Sequence, residues 1–553
     1  MATVTAMAVS PIVRAAAAST QLQSRFLMSS LNFLLHLAFL VFSQHVCAQS
    51  LPTASRPVSS AQTPIIGEPS SPGSSAGAPG FRFVPILDLR ERFTDNLLLA
   101  TSALAQSDWT TDLAVGARVD YRAARASLQL DYLVNRRFHQ RSSGFDNTQR
   151  QLSSNANVEA IEKWLFLDAR ASITQQYRSA FGVVGVADIA AVNANRVETT
   201  TYQLTPSIRG YVGGDSSYQL RINAAETRTG DKAFPPSRTY DWTGFLNGTA
   251  SGRLGWSVDA TSFVFDNSSV GKRQDSRFRG AGIYQFNPQL QIALTLGREI
   301  SDLDGGARRT TGMRGIRLEW RPSGRTQFFA ESQKRFFGNS QIVQFSHRMP
   351  RSALRFSSSK EIAAATTELA SSGVLPLGST LANLLASNAT DPNDLSKKLE
   401  QTGIPNASGF QNGFLAARPF LGRRDEASFV LLGLRNTLTL SANRREQRAL
   451  GNNGSGTGLA APIEEIRQTV ANAVWAYRLT PISTVRIVVS RLRANGLFLD
   501  NLSTTQRFQS VFFVTQIGSS AAASVGVQHV LFDSTKSASY RENAFISTLS
   551  IRF

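Results

Sequence analysis

Hydrophobic and polar residues alternate along most of this chain with a period of two residues. The alternation is clearest in residues 109–122, where Trp109, Leu113 and Val115 share one side and mostly charged residues occupy the other. Successive side chains of a β-strand point to opposite faces of the sheet, so this period indicates strands. Similar runs occur at residues 128–135, 165–177, 202–212, 218–224, 254–264, 290–296, 316–322 and 485–489. The pattern predicts an all-β protein.

Short and long connections alternate between these predicted strands. Short turns follow Arg122, Ile161, Gly213, Gly252, Phe286, Pro322 and Leu479. Longer polar stretches occupy residues 139–149, 178–200, 230–239, 268–276, 301–312, 447–466 and 494–505. This alternation is typical of an up-and-down meander with short periplasmic turns and long extracellular loops. Counting both kinds of connection gives about 22 strands, within a range of roughly 18 to 22.

Several predicted strands approach the ~10 residues that a strand needs to cross a membrane. In hydrocarbon every backbone N–H and C=O must find a partner within the protein, so a membrane sheet must close on itself. We therefore predict a transmembrane up-and-down antiparallel β-barrel over residues 81–553, with apolar side chains toward lipid. A secreted β-helix or an array of β-sandwiches would show a fixed repeat, which the sequence lacks.

The longest predicted connection is an insertion at residues 359–423. It contains segments rich in alanine and leucine, and Asp391 is placed to cap a short helix. The parity of the strands puts its start outside the cell, so we predict a long extracellular loop that carries short helices. Loops of this length are usually functional or disordered. Two interpretations stay open: an inward-folding constriction or lid, and a surface loop.

The last strand carries a pattern related to assembly. Phe545, Leu549, Ile551 and Phe553 fall on one side of it, with only the small Ser547 between them. This ending resembles the β-signal of bacterial outer-membrane barrels, which the barrel assembly machinery recognises. The resemblance implies a location in the outer membrane of a Gram-negative bacterium, among outer-membrane lipids and lipopolysaccharide.

The beginning of the chain predicts export. Arg14 and Arg25 precede an apolar run at residues 31–42, which is shorter than the ~20 residues of a spanning helix. A small-residue cleavage site follows, with cleavage expected between Ala48 and Gln49.

The predicted signal peptide thus covers residues 1–48. Residues 49–80 are rich in proline, serine and glycine, a composition that cannot bury a core. We predict a disordered periplasmic linker there, followed by the barrel.

Composition argues against several functions. The chain has 58 Lys+Arg and 39 Asp+Glu, and removing the two arginines of the signal peptide leaves a net charge of +17. These charges are spread along the whole chain without a recognition motif, which argues against nucleic-acid binding. Cys47, the only cysteine, lies in the signal peptide. The mature histidines, His139, His347 and His529, show no metal-ligand spacing, and no Gly-x-Ser-x-Gly accompanies His529. We therefore predict no metal, no cofactor and no catalytic residue.

The polar faces of the predicted strands are rich in arginine. The candidate lumen-facing residues are Arg118, Arg122, Asp131, Arg170, Arg209, Arg221, Arg317, Glu319, Arg321 and Arg486. Arginine rings favour anions, and a guanidinium binds carboxylates in a bidentate manner. Such a lumen would suit an acidic polysaccharide. Two alternatives stay open: mutual Arg–Asp pairing that stiffens the wall, and contact of arginines near strand ends with lipopolysaccharide phosphates.

The first predicted strand, residues 85–99, contains Phe93, Thr94, Asp95 and Asn96. With residues 107–113, 128–132 and 427–440, it resembles the PEP-CTERM/exosortase-associated, EpsL-like outer-membrane barrels that are linked to exopolysaccharide clusters. The resemblance implies a role in secreting or assembling exopolysaccharide, together with periplasmic export components. It supplies no catalytic residues.

Four functions compete at this point. The first is a non-enzymatic conduit or accessory factor in exopolysaccharide secretion. The second is a general diffusion porin for small, anionic solutes. An energy-coupled transporter would need a plug domain of roughly a hundred residues to fill a 22-stranded lumen, and the short predicted linker argues against it. A surface-adhesion barrel would need a passenger domain, which the sequence does not offer.

Overall fold

The computed structural model of the chain describes residues 80–183, 195–213, 215–364, 415, 418–450, 465–497 and 502–553. The predicted signal peptide, nearly all of the linker and the predicted helices of the 359–423 insertion lie outside these residues. Gly80, the last residue of the predicted linker, is the first residue of a strand. No helix in the described part of the chain is long and apolar enough to cross a membrane.

The described residues form 22 strands in one sheet. The strands are β1 (Gly80–Thr94), β2 (Asp108–Arg122), β3 (Ala126–His139), β4 (Asn147–Ile161), β5 (Leu165–Tyr177), β6 (Arg196–Val212), β7 (Ser216–Thr229), β8 (Ser237–Ser251), β9 (Leu254–Asn267), β10 (Arg273–Asn287) and β11 (Leu290–Ser301). The chain continues with β12 (Arg309–Ser323), β13 (Thr326–Arg335), β14 (Gly338–Arg348), β15 (Ser352–Ala363), β16 (Phe420–Leu432), β17 (Asn436–Ala449), β18 (Ile466–Arg478), β19 (Ser483–Gly496), β20 (Ser503–Ile517), β21 (Ala521–Ser534) and β22 (Tyr540–Arg552). Two short 3-10 turns, Ser102–Leu104 and Ser143–Phe145, lie in the connections after β1 and β3.

The sheet closes on itself because its first and last strands pair. β1 runs antiparallel to β2 over its whole length. On its other edge it runs antiparallel to β22, from the pair Ile86 and Arg552 to the pair Thr94 and Ala544. Closure leaves no free edge, as a sheet in lipid requires. The predicted antiparallel barrel of about 22 strands is confirmed.

The two faces of the barrel wall differ in chemistry. On β2, Trp109, Leu113 and Val115 are exposed, whereas Thr110 and Asp112 are buried. Large apolar side chains are exposed on the outer face all around the barrel, among them Phe138, Trp242, Phe278, Leu296, Ile316, Val489, Val527 and Phe545. Because a continuous apolar belt on a closed barrel is stable in lipid and not in water, the protein is located in the outer membrane of a Gram-negative bacterium.

Connections alternate in length largely as predicted. At one end of the barrel the turns are short, as at residues 123–125, 162–164 and 252–253. At the other end most connections are longer, as at residues 95–107, 178–195 and 302–308. One connection at the long-loop end departs from this pattern, because only Phe336 and Phe337 join β13 to β14. Gly338 follows them with a φ of 105°, which glycine adopts without steric cost.

Strands reach further toward the long-loop end than the alternation predicted. β6 begins at Arg196 and β12 at Arg309, inside the stretches 178–200 and 301–312 that were predicted as loops. Apart from Val197, the outer ends of these strands are polar on both faces, so the period of two disappears although the backbone pairing continues. Hydropathy alone therefore underestimates the length of the strands.

Candidate functional site in the barrel lumen

The ten candidate lumen residues lie in the halves of their strands that are nearer the short turns. Strand register places each of them on the wall face opposite to the exposed apolar side chains. We call this part of the interior the periplasmic half, because short turns of outer-membrane barrels face the periplasm. The other part, near the long loops, is the outer half.

Arg118 and Asp131 face each other across β2 and β3. Arg118 Nε donates a hydrogen bond to Asp131 Oδ1 at 2.6 Å. The two side chains are 37% and 38% exposed. Solvent therefore screens this ion pair, and its contribution to stability is at most ~1 kcal/mol. Both groups are accessible to a solute inside the lumen.

Three of the candidate arginines surround one carboxylate on β5. Asp168 interacts electrostatically with Arg170, Arg209 and Arg221. The Arg209 guanidinium also lies 3.9 Å from the centre of the Phe166 ring, and its side chain is exposed. Arg221 also interacts electrostatically with Asp241 on β8, so three positive charges face two negative charges and leave an excess of one. This group, which we call the Asp168 cluster, is the strongest anion-attracting arrangement among the ten candidates.

The remaining candidates are more dispersed. On β12, Arg321 Nη2 lies 3.5 Å from Glu319 Oε2, and Glu319 also interacts electrostatically with Arg317. Arg486 lies apart on β19, with its guanidinium 5.2 Å from the centre of the Phe512 ring. Arg122 is at the end of β2, opposite Ser127.

The residues of the predicted β-signal lie on β22 and at its end. Phe545, Leu549 and Phe553 are exposed on the outer face. Phe545 is opposite Phe93 in the register between β22 and β1, and Ile551 is opposite Leu87. They therefore belong to the apolar belt at the seam where the barrel closes. Their role in assembly stays a prediction.

Each mature histidine makes a local hydrogen bond. His347 Nδ1 lies 2.8 Å from Thr326 Oγ1, and His529 Nδ1 lies 2.7 Å from Asn543 Oδ1. His139 Nδ1 lies 3.2 Å from Asp146 Oδ1. Within the described ranges, no group of three or more His, Cys, Asp and Glu side chains could hold a metal ion.

A set of buried ion pairs in the outer half has no counterpart among the residues predicted from the sequence. Arg137 binds Asp112 through Nε at 2.6 Å and through Nη2 at 3.1 Å. Arg92 on β1 forms an ion pair with Glu542 on β22, and these side chains are 3% and 2% exposed. The second pair joins the first strand to the last, so it fastens the seam from the inside.

A larger buried network crosses β9 to β13. Arg335 binds Glu299 through Nε at 2.8 Å and Asp275 through Nη2 at 3.1 Å. Arg279 binds Asp259 at 2.8 Å and lies 3.6 Å from Glu331. Arg277 also pairs with Asp275 at 3.3 Å. Three guanidinium groups thus hold four carboxylates in a row of strands, and water has little access to their side chains.

Loop segments enter the outer half and pack against its wall. Leu99, from the connection after β1, and Tyr177, at the end of β5, join an apolar cluster with Phe508 and Phe532. The other members of this cluster are Val470, Leu492, Val530 and Tyr540. Strands β5 and β18 are separated by many strands in either direction around the barrel. The end of β5 therefore reaches across the lumen.

The chain continues along the far wall after Tyr177. Phe181 is completely buried and packs with Ile466 and Ala494. Its carbonyl oxygen accepts a hydrogen bond from Ser537 Oγ at 2.8 Å. Leu415, in the 359–423 insertion, donates its backbone N–H to the Tyr177 carbonyl at 3.0 Å. We call residues 177–183 the crossing segment.

One sequence signal could have revealed this packing. On β21, Val530, Leu531 and Phe532 are consecutive apolar residues, and Val530 and Phe532 face inward. A strand that is apolar on both faces is buried on both faces. The run therefore indicates that something inside the barrel covers this wall.

Comparisons with known proteins give little beyond the fold. No protein-family model matches the chain, and no curated protein matches it. Among solved structures, the siderophore receptor PirA from Pseudomonas aeruginosa is similar at 9% identity with a TM-score of 0.40, over 86% of this chain and 81% of that one. BauA, the ferric preacinetobactin receptor from Acinetobacter baumannii, is similar at 10% identity with a TM-score of 0.43, over 85% and 81%. These values are too low to carry an argument about function.

Proposed function

We propose that this barrel is a non-enzymatic conduit or accessory factor for the secretion of an acidic exopolysaccharide. The Asp168 cluster carries the proposal, because it presents a net positive charge inside a wide lumen at the end where a periplasmic polymer would enter. The resemblance of residues 85–99 to barrels linked to exopolysaccharide clusters supports the same function.

The chemistry of the lumen suits repeated, weak contacts with a polymer. A guanidinium offers a planar fork of donors that matches a carboxylate, and it also donates to hydroxyl groups. The half-exposed Arg118–Asp131 pair and the exposed Arg209 can exchange their partners at low cost because solvent screens them. A polymer could therefore move from one arginine to the next without being trapped, as conduction through a selective pore requires.

A general diffusion porin for small anionic solutes is the second candidate, since the same arginines would attract such solutes. The crossing segment argues against it, because a porin needs a permanently open path. In the conduit, opening of the outer half would be coupled to delivery of the polymer by periplasmic export components.

A gene deletion with two measurements separates these functions. We expect the deletion strain to lose sugar polymer from the medium and to accumulate it in the periplasm. The triple variant Arg170→Gln, Arg209→Gln, Arg221→Gln should reproduce a substantial part of this loss. Its matched control removes the paired outward-facing arginines: Arg150→Gln, Arg228→Gln, Arg238→Gln. If the deletion strain secreted a normal amount of polymer but took up small anions at an altered rate, the porin function would be favoured over the conduit.

A further inference from the structure

The outer face of the barrel carries arginines above the apolar belt, and their surroundings differ from one side to the other. On β4 to β8 they are paired with acids. Arg150 binds Glu198 at 2.7 Å, and Arg228 and Arg238 both bind Glu226 at 3.0 and 3.3 Å. These arginines are therefore largely neutralised by the protein itself.

Arginines on β19 to β22 form a different arrangement. Arg491 is directly opposite Arg507 in the register between β19 and β20. Arg507 is opposite Leu531 on β21, which in turn is opposite Arg541 on β22. Arg493 is one pair further out on β19, opposite Thr505. We call Arg491, Arg493, Arg507 and Arg541 the arginine patch.

The protein does not neutralise this patch. All four side chains are exposed. Among the described residues, no ion pair reaches any of them, and Arg493 donates only to the Asn495 amide oxygen at 3.3 Å. Two acids lie nearby on the same face: Asp533 is opposite Thr505, and Asp95 accepts hydrogen bonds from Asn543 at 2.8 and 2.6 Å. In the described part of the chain, neither forms an ion pair with the patch. Like charges directly opposite one another destabilise a sheet, so the arrangement calls for an external anion.

The depth of the patch identifies the environment of that anion. Val489, exposed on the same face of β19, is two residues below Arg491, or about 7 Å along the strand. Val527 and Phe545 are four residues below Leu531 and Arg541 and are also exposed. The patch therefore lies at the outer margin of the lipid-facing belt. An arginine there can lay its aliphatic stem on the apolar surface and direct its guanidinium to the lipid headgroups.

We propose that the arginine patch binds the phosphate groups of an anionic outer-leaflet glycolipid, lipopolysaccharide, and holds one such molecule against β19–β22. Guanidinium groups bind phosphate in a bidentate manner, and the adjacent belt of Val489, Val527 and Phe545 offers a surface for the acyl chains. This double contact favours a lipid over free phosphate. The patch is separate from the lumen, so the proposal does not depend on the function proposed above.

The test compares purified, folded full-length barrels in detergent after removal of bound lipid. The variant is Arg491→Gln, Arg507→Gln, Arg541→Gln, and the matched control is Arg150→Gln, Arg228→Gln, Arg238→Gln. Heat-modifiable migration on gels verifies that each barrel is folded. Binding of lipopolysaccharide, of its dephosphorylated form and of inorganic phosphate is measured by native mass spectrometry and by titration.

We expect the patch variant to bind lipopolysaccharide at least about tenfold more weakly and the control to stay within about twofold. Wild-type protein should lose the same affinity when the lipid is dephosphorylated, and inorganic phosphate should compete only weakly. Equal binding by the patch variant, or no effect of dephosphorylation, would overturn the proposal. Strong competition by inorganic phosphate would also overturn it, since it would show a simple anion site. If the triple variant does not fold, Arg507→Gln is tested instead, with an expected weakening of about threefold.

Discussion

The outer and periplasmic halves of the lumen use the same side chains for different purposes. In the outer half, Arg335 and Glu299 are 3% and 0% exposed. In the periplasmic half, Arg118 and Asp131 are 37% and 38% exposed. A buried charge must keep its partner, whereas a screened charge can exchange it. Burial therefore distinguishes the ion pairs that stabilise the barrel from those that can bind a solute in the lumen.

Breaking an ion pair of the outer half should have the largest effect. Arg335→Leu would leave Glu299 buried without its ion-pair partner and Asp275 with Arg277 alone, at a cost of about 3–5 kcal/mol. We expect a much smaller yield of heat-modifiable barrel and a lower unfolding temperature. Arg118→Leu, the matched change in the periplasmic half, should cost no more than about 1 kcal/mol. Equal losses in both variants would show that burial does not separate the two halves.

Releasing the crossing segment from the wall should have the second-largest effect. Phe181→Ala removes a completely buried ring that packs on Ile466 and Ala494, a change that costs about 3–5 kcal/mol in a packed core. Because the ring attaches a connection and not a strand, the loss should release the segment while the barrel stays folded. We expect larger conductance in planar bilayers.

Phe145→Ala is the control for this opening. Phe145 lies in another extracellular connection and is 38% exposed. The conductance of the Phe145→Ala variant should match that of the wild type. If Phe181→Ala also left conductance unchanged, the crossing segment would not be the constriction of the outer half.

The charge of the periplasmic half should determine ion selectivity. Replacing Arg170, Arg209 and Arg221 with Gln, in a background opened by Phe181→Ala, would leave the Asp168 carboxylate without its three positive neighbours. We expect the anion preference to fall or to reverse, measured as the reversal potential in a salt gradient. The difference should shrink at high salt, because screening shortens the range of exposed charges. If these three substitutions left the anion selectivity unchanged, the charges that determine it would lie outside the Asp168 cluster.

The sequence predicted the wall of the barrel far better than its interior. The alternation of short and long connections predicted the number of strands, and the period of two predicted the lipid face. Both patterns are local, because the side on which a strand residue lies does not depend on distant residues. The pair of Arg92 and Glu542 could not be predicted in this way, since its partners are 450 residues apart and meet only after closure. The position of Phe181 depends equally on contacts with β18 and β19, which local hydropathy does not encode.

The smallest expected effect concerns an extracellular turn beside the outer half. Asp146 Oδ1 accepts the backbone N–H of His139 at 2.8 Å, and this bond holds the pKa of the carboxyl below its ordinary value. A lowered carboxyl pKa stabilises the folded turn above the ordinary pKa of about 4, and the stabilisation is lost as the pH falls through the lower folded value. We expect amide hydrogen exchange in residues 143–147 to accelerate, relative to the intrinsic rate, only below about pH 4. Asp146→Asn cannot titrate, so its protection should stay flat over the same range, and the buried Arg137–Asp112 pair nearby should keep its amides protected in both proteins. An acid response that persists in Asp146→Asn would assign it to the barrel wall instead of the turn.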